Sequence, residues 1–166
     1  MRINRVAAFA VAAAIAATIS SAPAYAGTQT ASFTVSADVA ANCTISATNL
    51  DFTSYDPTSA TDKDATSKVS VLCTNSSAWN IGLSAGGFSG ATVTTRKMTG
   101  PSTYSLGYSL FSDSSRSVNW GNVGTERVSG TGTGANQDNT VYGRIPSGQN
   151  VGAGHYSDSI TATVTF

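Results

Sequence analysis

From Thr28 to Val39 the chain alternates without a break. Ala31, Phe33, Val35, Ala37 and Val39 fall on one side, and Thr30, Ser32, Thr34, Ser36 and Asp38 on the other. A period of two over that length predicts a strand with one face to bury. The same period returns along the chain. Cys43-Thr-Ile-Ser46 with Leu50-Asp-Phe52 reads as a second strand, running into a turn at Tyr55-Asp-Pro-Thr58. Ser59 to Lys68, polar and charged, reads as a surface loop. Val69, Val71 and Cys73 share one side of a third strand, and Trp79, Ile81 and Leu83 one side of a fourth. Gly86-Gly87 breaks that strand.

Beyond it the periodicity predicts shorter pieces. Ala91 to Met98 reads as a short strand with Arg96-Lys97 exposed at its end. Tyr104, Leu106, Tyr108 and Leu110 alternate again. Val118 and Trp120 lead into a Gly/Thr/Ser stretch whose centre, Gly130-Thr-Gly-Thr-Gly134, reads as a flexible loop. Thr140 to Ile145 is a strand closed by Pro146-Ser-Gly148. A last strand spans Tyr156 to Phe166, with Ile160, Ala162, Val164 and Phe166 on one side and Ser159, Thr161, Thr163 and Thr165 on the other. Roughly seven or eight short strands separated by Gly/Pro turns, with no helical period, predict an all-β, immunoglobulin-like sandwich.

Composition sharpens this picture. Residues 1–26 combine Arg2 and Arg5, an alanine-rich apolar run and Ala24-Tyr25-Ala26, the pattern of a secretory signal peptide cut after Ala26. The apolar run is shorter than the ~20 residues a membrane span needs. Without Arg2 and Arg5, the nine basic residues become seven against nine acidic ones, a formal charge of −2. Such a balance offers nucleic acid no electrostatic footprint. Cys43 and Cys73 are the only cysteines, and in an exported chain they read as one disulfide. Closing a loop of about 30 residues stabilises a fold by roughly 3–4 kcal/mol on the chain-entropy model.

Candidate chemistry is sparse. His155 is the only histidine. It sits in a turn, and no serine occupies a Gly-x-Ser-x-Gly elbow, so a hydrolase is the weakest reading. Asp62 and Asp64 could touch a cation, but a calcium cage needs six or more oxygens. The glycines of 130–134 lack phosphate-loop spacing and a following helix. Trp79 is in phase with Ile81 and Leu83 and reads as core. Trp120, with the Gly-rich loop, is the anchor of an alternative reading as a secreted monomeric carbohydrate-binding or adhesive module. The Thr28–Val39 strand could be an ordinary first strand, or it could pair with the open edge of another molecule. The pattern alone does not separate these.

The motifs in sequence resemble a known family. Cys43-Thr-Ile-Ser46, Asn49-Leu-Asp-Phe52 before Tyr55-Asp-Pro57, and Val69-Ser-Val-Leu-Cys-Thr-Asn75 are similar to the spore coat protein U domain. So are Thr95-Arg-Lys-Met98, Leu106-Gly-Tyr-Ser-Leu-Phe111, Trp120-Gly121, the glycines of 130–134, Val141-Tyr-Gly-Arg-Ile-Pro146 and Gly154-His-Tyr-Ser-Asp158. That domain is the pilin module of archaic chaperone–usher pili. The resemblance implies a sandwich lacking its last strand, with residues 27–42 as an N-terminal donor-strand extension and 43–166 as the pilin domain. It implies that Phe33, Val35, Ala37 and Val39 plug a neighbouring subunit. It implies that Ile160, Ala162, Val164 and Phe166 border the acceptor groove and meet a periplasmic chaperone. It implies a Cys43–Cys73 disulfide and a structural, non-enzymatic subunit without cofactors or metals. The implied partners are other pilins, a periplasmic chaperone and an outer-membrane usher, and the implied destination is the periplasm and then the cell surface, as a fimbria or pilus, or an extracellular, spore-coat-like coat.

Overall fold

A computed structural model describes residues 23–166. The signal-peptide expectation falls mostly on residues outside these. Among the described residues nine strands and one short 3₁₀ turn are formed: β1 (Cys43–Ala47), β2 (Lys63–Cys73), β3 (Ala78–Leu83), β4 (Lys97–Thr99), β5 (Ser105–Gly107), β6 (Ser109–Phe111), β7 (Val128–Thr131), β8 (Asn136–Ile145) and β9 (Ala162–Thr165), with the turn at Gly124–Glu126. Among the described residues no α-helix occurs.

Two antiparallel sheets build an immunoglobulin-like sandwich. One has the order β1-β2-β8-β6 and the other β7-β3-β9, with β4-β5 as a small hairpin ladder. The registers follow from the apolar phase. Val69 and Val71 of β2, Val141 and Ile145 of β8, and Leu110 of β6 are buried against Trp79, Ile81 and Leu83 of β3. A one-residue slip would turn each of these rows to solvent, so burial fixes the pairing. The Cys43–Cys73 disulfide joins directly opposed residues of β1 and β2.

Several expectations are corrected. Ser59–Lys68 is not all loop, because β2 already begins at Lys63. Its polar outward side is held by Asp64, whose carboxylate accepts from Arg144 Nε and Nη2 at 2.8 and 2.9 Å on β8. The Gly130–Gly134 stretch is not all flexible, because Gly130 and Thr131 belong to β7. A Cβ at Gly130 would collide with the Trp79 ring, so glycine is what lets β7 approach β3 there. Strand β4 covers only the end of Ala91–Met98 and extends one residue past it. The predicted last strand shrinks to Ala162–Thr165, with Ser157 bridging singly to Thr99. Leu50–Phe52 is packed on the core but forms no strand.

Arg96 is the largest departure. Expected at an exposed strand end, it is fully buried. Its guanidinium donates to four backbone carbonyls: Ser84 O at 2.9 Å, Val93 O at 2.7 Å, Leu83 O at 3.1 Å and Trp120 O at 2.8 Å. A buried cation is tolerated only when its N–H groups are satisfied in this way. Burial nevertheless pulls the guanidinium below its usual pKa.

The Thr28–Val39 stretch departs in the opposite sense. It forms no strand and enters no ladder. A strand is stabilised by a neighbour's backbone, and the single chain gives these residues none.

Candidate functional site

The two flanks of the sandwich are built differently. On one, the segment from Asn119 to Gly121 crosses from sheet to sheet. Asn119 bridges to Phe111 on β6, Trp120 N donates to Leu110 O, and Gly121 O accepts from Leu83 N on β3. Trp120 is fully buried within this crossing, and its Nε1 donates to Ile81 O at 3.0 Å.

On the other flank the sheets end at β1 and β9. Below them opens a groove of about 610 Å³. Its floor is apolar core: Val69, Leu83, Tyr108, Leu110 and Val141. One bank runs from Ala47 to Phe52 and the other from His155 to Ile160 and on to Ala162. The first bank is pressed close to β8, because a Cβ at Gly143 would meet Leu50 and Phe52 at 2.8 Å. The second is braced by Asp158. Its Oδ2 accepts from Tyr108 Oη at 2.6 Å and its Oδ1 from Gly87 N at 2.7 Å. Burial, reinforced by this bond to Asp158, pushes the Tyr108 phenol well above its usual pKa, so it stays a neutral donor.

The residues singled out in the sequence distribute unevenly around this groove. Ile160 and Ala162 line it. Val164 is half-buried and packs on the core from β9. Phe166 does not line the groove and is 56% exposed. Phe33, Val35 and Val39 are 87%, 82% and 84% exposed, and Ala37 is exposed with them. An alternating apolar row left in water is an unburied strand face. The floor residues were legible as inward-facing core. Leu50 and Phe52 alternate around Asp51, and that short alternation was the available signal for the first bank.

The other chemical candidates do not assemble. Trp120, the anchor of the carbohydrate-binding alternative, is sealed in the core and presents no stacking face. His155 lies exposed on a groove bank and makes no hydrogen bond to a serine or an aspartate among the described residues. Asp62 and Asp64 are engaged with arginines: Arg144 Nε is 3.4 Å from Asp62 and 2.8 Å from Asp64, and Arg116 Nε is 3.3 Å from Asp64. Nothing in the groove is arranged for covalent or acid–base chemistry. It can receive an extended apolar segment.

Comparison with known proteins agrees with this architecture. The Spore Coat Protein U domain family model matches residues 29–163. Protein U of Myxococcus xanthus is 37% identical over 173 aligned residues, covering 96% of this chain and 97% of that protein. A solved structure, the CsuC–CsuE chaperone–tip adhesion subunit pre-assembly complex from the archaic chaperone-usher Csu pili of Acinetobacter baumannii, matches with a TM-score of 0.58 at 24% identity. The match covers 77% of this chain and 40% of the solved one, and it shows a shared fold.

Proposed function

We propose, on the premise that this chain belongs to the Spore Coat Protein U domain family, that it is a structural, non-enzymatic subunit of a surface fibre. Subunits are joined by donor-strand exchange. The extension 27–42 of one copy enters the groove between β1 and β9 of the next, with Phe33, Val35, Ala37 and Val39 against its floor. Ile160, Ala162 and Val164 border the site it enters, and Phe166 stands at its margin. Before assembly a periplasmic chaperone lends a strand to the same edge, and an outer-membrane usher directs the exchange. Residues 1–26 serve as the export signal.

The observation that carries this reading is a complementary pair of defects. The domain has an open apolar groove between two sheet edges, and the chain has an exposed alternating segment of strand length. Each is costly alone, because an exposed edge and an exposed apolar face both invite association. Joining them between copies is a heterologous, head-to-tail contact, which propagates into an open fibre. The solved complex named above pairs a pilus subunit with its chaperone, which supports a chaperone as partner here.

The test is an SDS gel of the mature chain, heated and unheated, beside a variant lacking Thr28–Val39. Donor-strand joints dissociate slowly. A heat-sensitive ladder, absent from the deletion, is the expected outcome. A single monomer band for both proteins would refute the proposal.

A further inference from the structure

The outer face of the β7-β3-β9 sheet carries a second, polar cleft of about 300 Å³. Thr163 and Thr165 of β9, with Thr161 just before it, form one side, and Asn122 and Arg127 the other. Gly82, on the outward row of β3, makes room between them. A Cβ there would come within 3.0 Å of Asn122 Cα and touch Arg127 Cδ at 3.5 Å, so Asn122 sits closest over the glycine and the arginine stem packs beside it.

Arg127 is anomalous among the described arginines. Arg116 and Arg144 are paired with Asp64, and Arg96 is consumed by four carbonyls. Arg127 has no carboxylate within ion-pair distance, and its Nε is shielded from water with no acceptor. A shielded guanidinium N–H without a partner is costly, and a carboxylate is the ligand whose geometry answers it. On the acidic side, Asp38 is exposed and makes no hydrogen bond or ion pair among the described residues. Asp51, Asp56 and Asp113 are engaged with their own turns, and Asp138 with Lys68; Glu126 Oε2 is also without a partner, but it is buried against Gly121 and not offered to a neighbour.

Phase brings these two residues to one face. In the extension, Phe33, Val35, Ala37 and Val39 alternate with Thr34, Ser36 and Asp38. A copy that lays its apolar row into the groove beside β9 must present the even row outward. That is the face of Thr161, Thr163 and Thr165, and of Arg127. We infer that Arg127, reaching over Gly82 and the threonine row, pairs through its terminal nitrogens with the Asp38 carboxylate of a second copy's strand laid beside β9, and thereby sets the register of that strand. The inference rests on the donor-strand reading. It adds to what the apolar pattern supplies, since a slip of two residues keeps every apolar side chain inward and changes only which size meets which part of the floor. A charge matched on the outer face distinguishes such registers further.

The experiment uses the full mature chain and follows decay of the unheated ladder on warming. The variants are Asp38→Arg, Arg127→Asp, the double exchange, Arg127→Gln and Val35→Asp. Each charge reversal is expected to speed joint dissociation by about tenfold, and the double exchange to recover most of it. Arg127→Gln, which changes charge without repulsion, should fall between. The melting temperatures of Arg127→Asp and Arg127→Gln, taken in a chain lacking 28–39, separate a misfolded domain from a weakened joint; Asp38 and Val35 lie in the removed segment and leave that domain unaltered. A double exchange no better than either single reversal overturns the inference. So does a loss in Arg127→Asp that Asp38→Arg does not share, which would give the cleft to another carboxylate. If Val35→Asp abolishes the ladder while every charge variant leaves it unchanged, the register inference falls and the donor-strand reading stands. If the unaltered chain forms no ladder, both fall.

Discussion

The β6/β7 flank and the β1/β9 flank enclose the same core in opposite ways. On the first, Asn119–Gly121 crosses between the sheets, Trp120 fills the space, and Arg96 ties the crossing to Leu83, Ser84 and Val93 through their carbonyls. On the second nothing crosses, and Val69, Leu110 and Val141 line the floor of an open groove. The difference shows where the chain is self-sufficient and where it is not. The closed flank is built from its own residues. The open flank is left unfilled, and the same chain carries an alternating apolar segment that lies exposed.

The comparison can be broken from its closed side first. Trp120→Ala removes a fully buried indole and its hydrogen bond to Ile81 O. It is expected to cost about 3–5 kcal/mol in denaturant unfolding. An equal loss from Val35→Asp, an exposed residue, would contradict the asymmetry. The open side is tested next by filling it. A free peptide of residues 28–39, added to the domain lacking them, should stabilise it by about 2.7 kcal/mol at a hundredfold excess over Kd. A scrambled peptide should do nothing, and an unchanged melting temperature with the true peptide would count against the groove as a strand site.

The smallest effect concerns neither flank. The hydrogen bonds from Arg144, helped by the Arg116 charge and opposed by partial burial, hold the Asp64 carboxyl below its usual pKa. A depressed folded-state value means stability that is present above the unfolded carboxylate range, near pH 4, and lost as pH falls through the lower, folded value. Because the pair is partly exposed, Asp64→Asn should cost at most about 1 kcal/mol at neutral pH and flatten the acid limb of the stability profile. An unaltered acid limb would place the pH dependence elsewhere.

Much of the sandwich was legible from the sequence. Strands β2, β3 and β8 keep an apolar phase, and their inward residues form the core. Strand β7 was hidden because its place against Trp79 demands a glycine, and glycine in a Thr/Ser context reads as loop. Arg96 was hidden because a charge is buried only by carbonyls that arrive from Leu83, Ser84, Val93 and Trp120, and no local pattern announces them. The groove was half visible. Its floor reads as ordinary core and its last bank as an alternating strand, but a missing neighbour leaves no mark on the residues that lack it. The alternation of Thr28–Val39 likewise reads the same whichever partner it takes, and its exposure in the single chain is a feature no local pattern announces.

The disulfide has a mechanical side. Cys43 opens β1, and its sulfur is bonded to Cys73 at the end of β2. In a fibre of the kind proposed, a pull along the axis reaches each domain through residues 40–42 and arrives at Cys43. The covalent link hands that load at once to β2, whose ladder with β8 runs from Lys63↔Ile145 to Leu72↔Asn136. The short ladder of β1 carries little of it. One wall of the joint is thus relieved of the tension that the joint itself transmits, and a stretched fibre need not pry open its own sockets.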